Sequence, residues 1–155
     1  MKHSHIFIAL LAAALVGGCA SLQLQPVNFS WAAEEILDVQ SNGMVDAKRY
    51  SSEFNVKPLL QKEFAADTMA VKETKMVRVI RDKAGYYFIT GPNFKNVYVF
   101  LNGDASLSLV NTISISPEKK MEDPKFNQRD EFIELLNSGS TVKLTKSGIQ
   151  QGGAK

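Results

Sequence analysis

The side chains able to do acid–base, nucleophilic or metal chemistry are few and unevenly placed. The 155-residue chain has one thiol, Cys19, and two imidazoles, His3 and His5, all within its first nineteen residues. Beyond them, chemistry has to come from carboxylates, hydroxyls and lysines. Two carboxylates hydrolyse a glycosidic bond when they stand about 5–10 Å apart; the chain has 16 Asp and Glu but no motif that selects a pair. Glu34-Glu35 and Glu122-Asp123 are adjacent, which points neighbouring side chains apart in a helix or loop, so they read as solvated charge. Ser138-Gly139-Ser140 with Lys143 and Lys146 has the residue types of a serine–lysine hydrolase. A lysine serves as a base only when desolvated, and these fall at an expected helix end and on an expected edge strand. Beyond residue 19 the lack of histidine and of further cysteine excludes Ser-His-Asp and Cys-His catalysis. It also excludes the usual zinc sites and the commonest haem and iron–sulfur ligation. No catalytic residue, metal or cofactor is expected, and the chain does not read as an enzyme.

Cys19 has a different chemistry in view of what precedes it. Lys2 supplies a positive start, and Ile6 to Val16 is an unbroken apolar run of eleven residues. A hydrocarbon core about 30 Å thick takes about 20 apolar residues in a helix, so the run suits the apolar region of an export signal. It ends in Val16-Gly17-Gly18-Cys19, an aliphatic residue, two small ones and a thiol, which resembles the bacterial lipobox. The resemblance implies thioether lipidation of Cys19, cleavage after Gly18 by the lipoprotein signal peptidase, and acylation of the new amino group. Membrane lipid is then the first partner. Three acyl chains hold firmly, since each buried methylene contributes roughly 0.8 kcal/mol and a single chain is marginal. Ala20 and Ser21 follow; by resemblance to Gram-negative sorting rules, the lack of Asp at the second position implies the outer membrane, facing the periplasm. With one cysteine there is no intramolecular disulfide.

Residues 1–18 are therefore expected to be a signal peptide, and 155 less 18 leaves 137 residues, enough for one domain with a modest core. Losing Lys2 lowers the 18 Lys and Arg to 17 against 16 acids, a near-neutral balance that offers no footprint for nucleic acid. Residues 19–28 read as a short uncharged lipidated tether, 29–146 as a β-rich globular domain, and 147–155 as a flexible tail rich in glycine and glutamine.

Within the domain, Ile36–Gln40 reads as a strand entering a turn at Ser41-Asn42-Gly43, and Met44–Val56 as one long strand. Pro58–Phe64 reads as a short helix, with proline suited to its first position and Leu60 and Phe64 on one side. Met76–Arg81 and Tyr86–Thr90 are strands around a turn at Asp82–Gly85. Asn102-Gly103 joins Val97–Leu101 to a second strand in which Leu107, Leu109, Ile113 and Ile115 alternate with serines. That pattern predicts a hairpin with one buried face and one wet face. Pro117–Pro124 reads as an exposed charged loop. Arg129–Asn137 is the best helix, with Asn127 as cap, Phe132, Leu135 and Leu136 at helical spacing, and Gly139 as stop. Thr141–Thr145 is a last strand.

The expected fold is α+β: mostly antiparallel sheet of about seven strands with two short helices, rolled toward a partial barrel. Six aromatics lie between Tyr86 and Phe100. Cross-strand core packing accounts for most of them. Alternation along Tyr86-Tyr87-Phe88 sends one outward, which makes Tyr87 and Tyr98 the candidates for an exposed interaction role. The functional expectation is a lipid-anchored envelope protein acting as a non-catalytic binding or accessory module on an envelope protein partner. The alternative is a carrier or sensor holding a small apolar ligand inside a β-roll, and the remote one a cell-wall hydrolase.

Overall fold

A computed structural model describes residues 33–65, 67–104 and 106–150. Val16, Gly17, Gly18, Cys19 and the tether lie outside the described residues. The described chain is α+β and mainly antiparallel, as expected.

Its centre is built from apolar, β-branched and aromatic segments. β4 (Met76–Arg81), β5 (Tyr86–Thr90), β6 (Asn96–Asn102) and β7 (Leu107–Ser114) form a meander, and β1 (Glu35–Asp38) adds beside β4. Asp82–Gly85 turns β4 into β5 as expected, with Gly85 at φ +93°. Val77 to Ile80, Tyr87 to Thr90 and Val97 to Val99 are buried without alternation. Side chains alternate across a sheet, so both faces of this sheet must be covered.

One face carries β8 (Lys125–Gln128), β9 (Ile133–Asn137), β10 (Ser140–Thr145) and the two-residue β11 (Gly148–Ile149), in sheet order β11-β10-β9-β8. β8 lies against β4 and β11 against β7, so the two sheets stack in the same strand order. The other face carries a ribbon, β2 (Met44–Ala47) with β3 (Ser52–Asn55), and two helices, α1 (Lys57–Phe64) and α2 (Thr68–Glu73). Neither sheet closes into a barrel, which removes the roll that the strand count suggested.

Several local expectations change. The helix over Arg129–Asn137 is instead a turn followed by β9, and Asn127 is a β8 residue rather than a cap. Ile133 and Leu135 are buried two apart while Leu136 is exposed, the period of a strand. Ser138 and Gly139, at φ +46° and +83°, make the two-residue hairpin turn that joins β9 to β10; positive φ at both central positions suits the strand twist. The long strand over Met44–Val56 breaks at a 3-10 turn, Lys48–Tyr50, with Ser51 at φ +49°. The second helix is α2, capped by the Asp67 carboxylate accepting from Ala70 N at 2.9 Å. The Pro117–Pro124 loop is not wholly exposed, because Met121 is buried and its backbone bonds Asn93 and Phe94. Gly148–Ile149 pair with β10 inside the stretch expected to be loose.

Leu135 and Leu136 separate the two readings of this segment. Leu135→Ala should cost about 2–5 kcal/mol in urea unfolding, and Leu136→Ala under about 0.5 kcal/mol. Equal losses would restore the helix.

Candidate binding surfaces

The expected outward tyrosines are core residues. Tyr87 is 5% exposed and Tyr98 1%. The reason is the two-sided burial of β5 and β6: alternation places Tyr87 and Phe88 on opposite faces, but both faces are covered. Tyr87 packs edge-on against Tyr50, with ring centres 5.3 Å apart, and the Arg81 guanidinium lies 5.4 Å from its centre. The Tyr98 hydroxyl donates to Glu63 Oε2 at 2.7 Å.

Glu63 fastens the helical layer to the sheet. It stands in the last turn of α1, and its carboxylate also accepts from Asn96 Nδ2 at 2.8 Å and from Lys95 N. A half-buried carboxylate needs donors to offset its lost hydration, and Lys95 with the first residues of β6 supplies three.

The carboxylate pairs are spoken for, at least in part. Glu34 accepts from Arg78 Nη1 at 2.7 Å and from Phe126 N at 2.8 Å, and Asp123 accepts from Arg78 Nη2 at 3.0 Å. The Lys125 ammonium, and more weakly the Arg78 guanidinium, hold Asp123 below the usual carboxylate range. Ser138 donates to Glu122 at 3.3 Å, Lys143 stacks over the Phe132 ring, and Lys146 reaches the Tyr86 hydroxyl at 3.2 Å. The serine–lysine arrangement is therefore not assembled. Among the described residues no three His, Cys, Asp or Glu side chains converge on a metal-sized site.

What remains open is the rim of the helical layer. Tyr50, in the turn of the ribbon, accepts from Arg81 N of β4 and packs on Tyr87 of β5, and Glu63 of α1 meets Tyr98 of β6; between this layer and β7 a gap is left. An open trough of about 600 Å³ runs there, floored by Phe100, Leu107 and Leu109 and walled by Phe54, Val56 and Leu59. β7 has one strand partner, β6, among the described residues; β11 lies near it and Asn111 Nδ2 donates to Lys146 O at 3.0 Å, but no strand pairs with its outer edge there. Leu109 is 40% exposed and Val110 48%, where the serine alternation predicted a buried leucine. The cause is a bulge: Val99 pairs Asn111 and Phe100 pairs Leu109, leaving Val110 without a partner. From Ser106 to Ser116 the chain has no charged residue, so the edge lacks the lysines that commonly guard such strands. Sequence reasoning placed the hairpin but missed this surface, whose signal was that uncharged run.

No family model, curated protein or solved structure matches the chain.

The Tyr98 hydroxyl also sets a pH dependence. Burial first, and then the bond to Glu63, raise its pKa well above the ordinary 10.0; Tyr50 is raised too, chiefly by burial. A raised folded pKa gives stability that is intact below the unfolded value and lost as pH rises through the folded one. Unfolding free energy should therefore fall from about pH 10 upward, by at most about 1.4 kcal/mol per pH unit for each tyrosine. Denaturant titrations of wild type and Tyr98→Phe check this: the variant should lose less on alkaline titration, and identical slopes would refute the assignment.

Proposed function

We propose that this chain is a lipid-anchored protein of the bacterial cell envelope that works by binding and not by catalysis, docking on another envelope protein. The anchor reading rests on Val16-Gly17-Gly18-Cys19 behind an eleven-residue apolar run. It carries with it the outer membrane, facing the periplasm, as the place of work. The docking reading rests on one observation, the trough beside β7. An apolar concavity continuous with an unpaired, uncharged strand edge suits an extended segment of a partner: its backbone pairs with the edge and its alternate side chains enter the trough. A carrier with its ligand inside a roll has less support, since the sheets do not close and the space between them is filled by Phe88, Val99, Ile133 and Leu135. The hydrolase reading has less support still, since the Glu34 and Asp123 carboxylates are tied to Arg78 and the serine–lysine groups stand apart.

Two experiments check the two halves. Cys19→Ala should abolish incorporation of labelled palmitate and leave the precursor uncleaved; normal acylated product from that variant would defeat the anchor. A photo-crosslinking amino acid at Leu109 should capture one stoichiometric envelope protein in intact cells, while the same group at Thr141, exposed on β10, captures none. Equal capture at both positions would show contact without a specific surface.

A further inference from the structure

On the other side of α1 lies a second groove, of about 620 Å³, between α1, α2 and the end of β1. We infer that it binds a single-chain anionic amphiphile, its apolar chain against Val39, Leu60 and Val71 and its head at Lys57, Lys72 and Lys75.

The argument starts from how the groove is made. Val39 N donates to Lys75 O at 2.8 Å, extending the β1–β4 pairing one step, so Val39 and Lys75 stand together below the helices. Lys57 opens α1 and is held there by its own amide bonding Asn55 Oδ1 at 2.8 Å. The turn at Gly43, φ +86°, lies against it, and a Cβ on Gly43 would stand 2.8 Å from Lys57 Cβ. Lys72 sits on the last turn of α2, and Lys75 Nζ donates to its carbonyl at 3.2 Å. Leu60 is fully buried, and Val71 packs against the core.

The charge pattern then selects the ligand. None of these three lysines is in an ion pair among the described residues; the pairs found there use Arg78, Lys83, Lys119, Lys125 and Arg129. No Asp or Glu lines the groove. Asp38, Asp67 and Glu73 are the carboxylates closest along the chain, and Asp67 is already the α2 cap. Three ammonium groups outside any ion pair among the described residues, around an apolar floor, stand out in a chain with 18 basic and 16 acidic residues, although Glu73 and Asp67 border Lys75 on its other side. Lysine stems lie along apolar surface while their heads stay in water, so they extend the floor and collect charge at its mouth. Ligand sites of about 300–1,000 Å³ are mostly apolar with a few polar groups that set orientation. A neutral lipid leaves the lysines unused, and a small inorganic anion leaves the floor unused. The β7 trough has no such charge set, and this site is independent of the docking reading.

The test uses the lipoprotein in isolated envelopes, where added probes are not metabolised into other lipids. The probes are a diazirine-bearing hexadecanoate, the corresponding alkyl phosphate, and the neutral methyl ester. After irradiation, labelled peptides are located by mass spectrometry. At least one anionic probe should label the segments 39–43 and 57–75, about fivefold or more above the ester. Labelling by both anionic heads would mean that charge alone is read, and by one alone that head shape is read too; each supports the site. Replacing all three lysines (Lys57→Gln, Lys72→Gln, Lys75→Gln) should reduce that labelling at least about fivefold. Gln61→Glu, which adds a carboxylate on exposed α1 surface without removing a lysine, should do the same and covers a folding failure of the triple variant. Equal labelling by the ester, labelling confined to other segments, or anionic labelling undiminished by Gln61→Glu would each overturn the proposal.

Discussion

β4, β5 and β6 bury side chains on both faces, and every other layer of the described chain follows from that. A strand with one wet face can stand at a surface, but Val77-Arg78-Val79-Ile80 or Tyr87-Phe88-Ile89-Thr90 cannot. One face is closed by the four-stranded sheet and the other by the ribbon and helices. Fully burying one large apolar side chain contributes about 1.5–3 kcal/mol, and both covering layers share this term. Neither cover is large enough alone: α2 has six residues and β2 and β3 four each. They persist because the central sheet presents them with a surface that water must leave.

Two polar fastenings hold the covers in register. Arg78 points toward the four-stranded sheet, 6% exposed, and its guanidinium meets Glu34 and Asp123. Glu34 in turn accepts from Phe126 N at the start of β8. Burying a charge is costly unless it is paired and hydrogen-bonded, so the arginine fixes where the loop before β8 must lie. On the opposite face Glu63 does the same for α1. Together they explain how one chain of modest core can hold three layers without a disulfide.

Much of the central sheet was legible. Asp82–Gly85 marks a hairpin through Gly85 at positive φ, and Asn102-Gly103 marks the next one although neither residue takes positive φ: Asn102 ends β6 and Gly103 N bonds Ser106 O. Apolar runs between them leave few alternatives to strand. Pro58 marked α1 by the same kind of local rule. The segment after Pro124 was not legible, because Phe132, Ile133, Leu135 and Leu136 satisfy both a helical and a strand period over so short a run. Its deciding feature was Ser138-Gly139, equally able to stop a helix or to turn a hairpin. The exposure of Tyr87 and Tyr98 was misjudged for a tertiary reason. Alternation tells which face a side chain takes and not whether that face is covered. The candidate surfaces were hidden from sequence reasoning because each is a gap between layers: the trough exists where the ribbon ends before β7, and the lysine groove where α1 and α2 diverge over Val39.

Confinement of the open grooves to the rim is thus the consequence of a centre covered on both sides. Native-state hydrogen exchange of the protein tests that premise most directly. Amides of Val77–Ile80, Tyr87–Thr90 and Val97–Val99 should exchange only through global unfolding, at one common and highest free energy. The α2 helix and the outer edge of β7 should open at lower cost. Exchange in Tyr87–Thr90 as fast as in β7 would mean that one cover is not in place, and the account of a buried centre with its binding surfaces at the rim would fail.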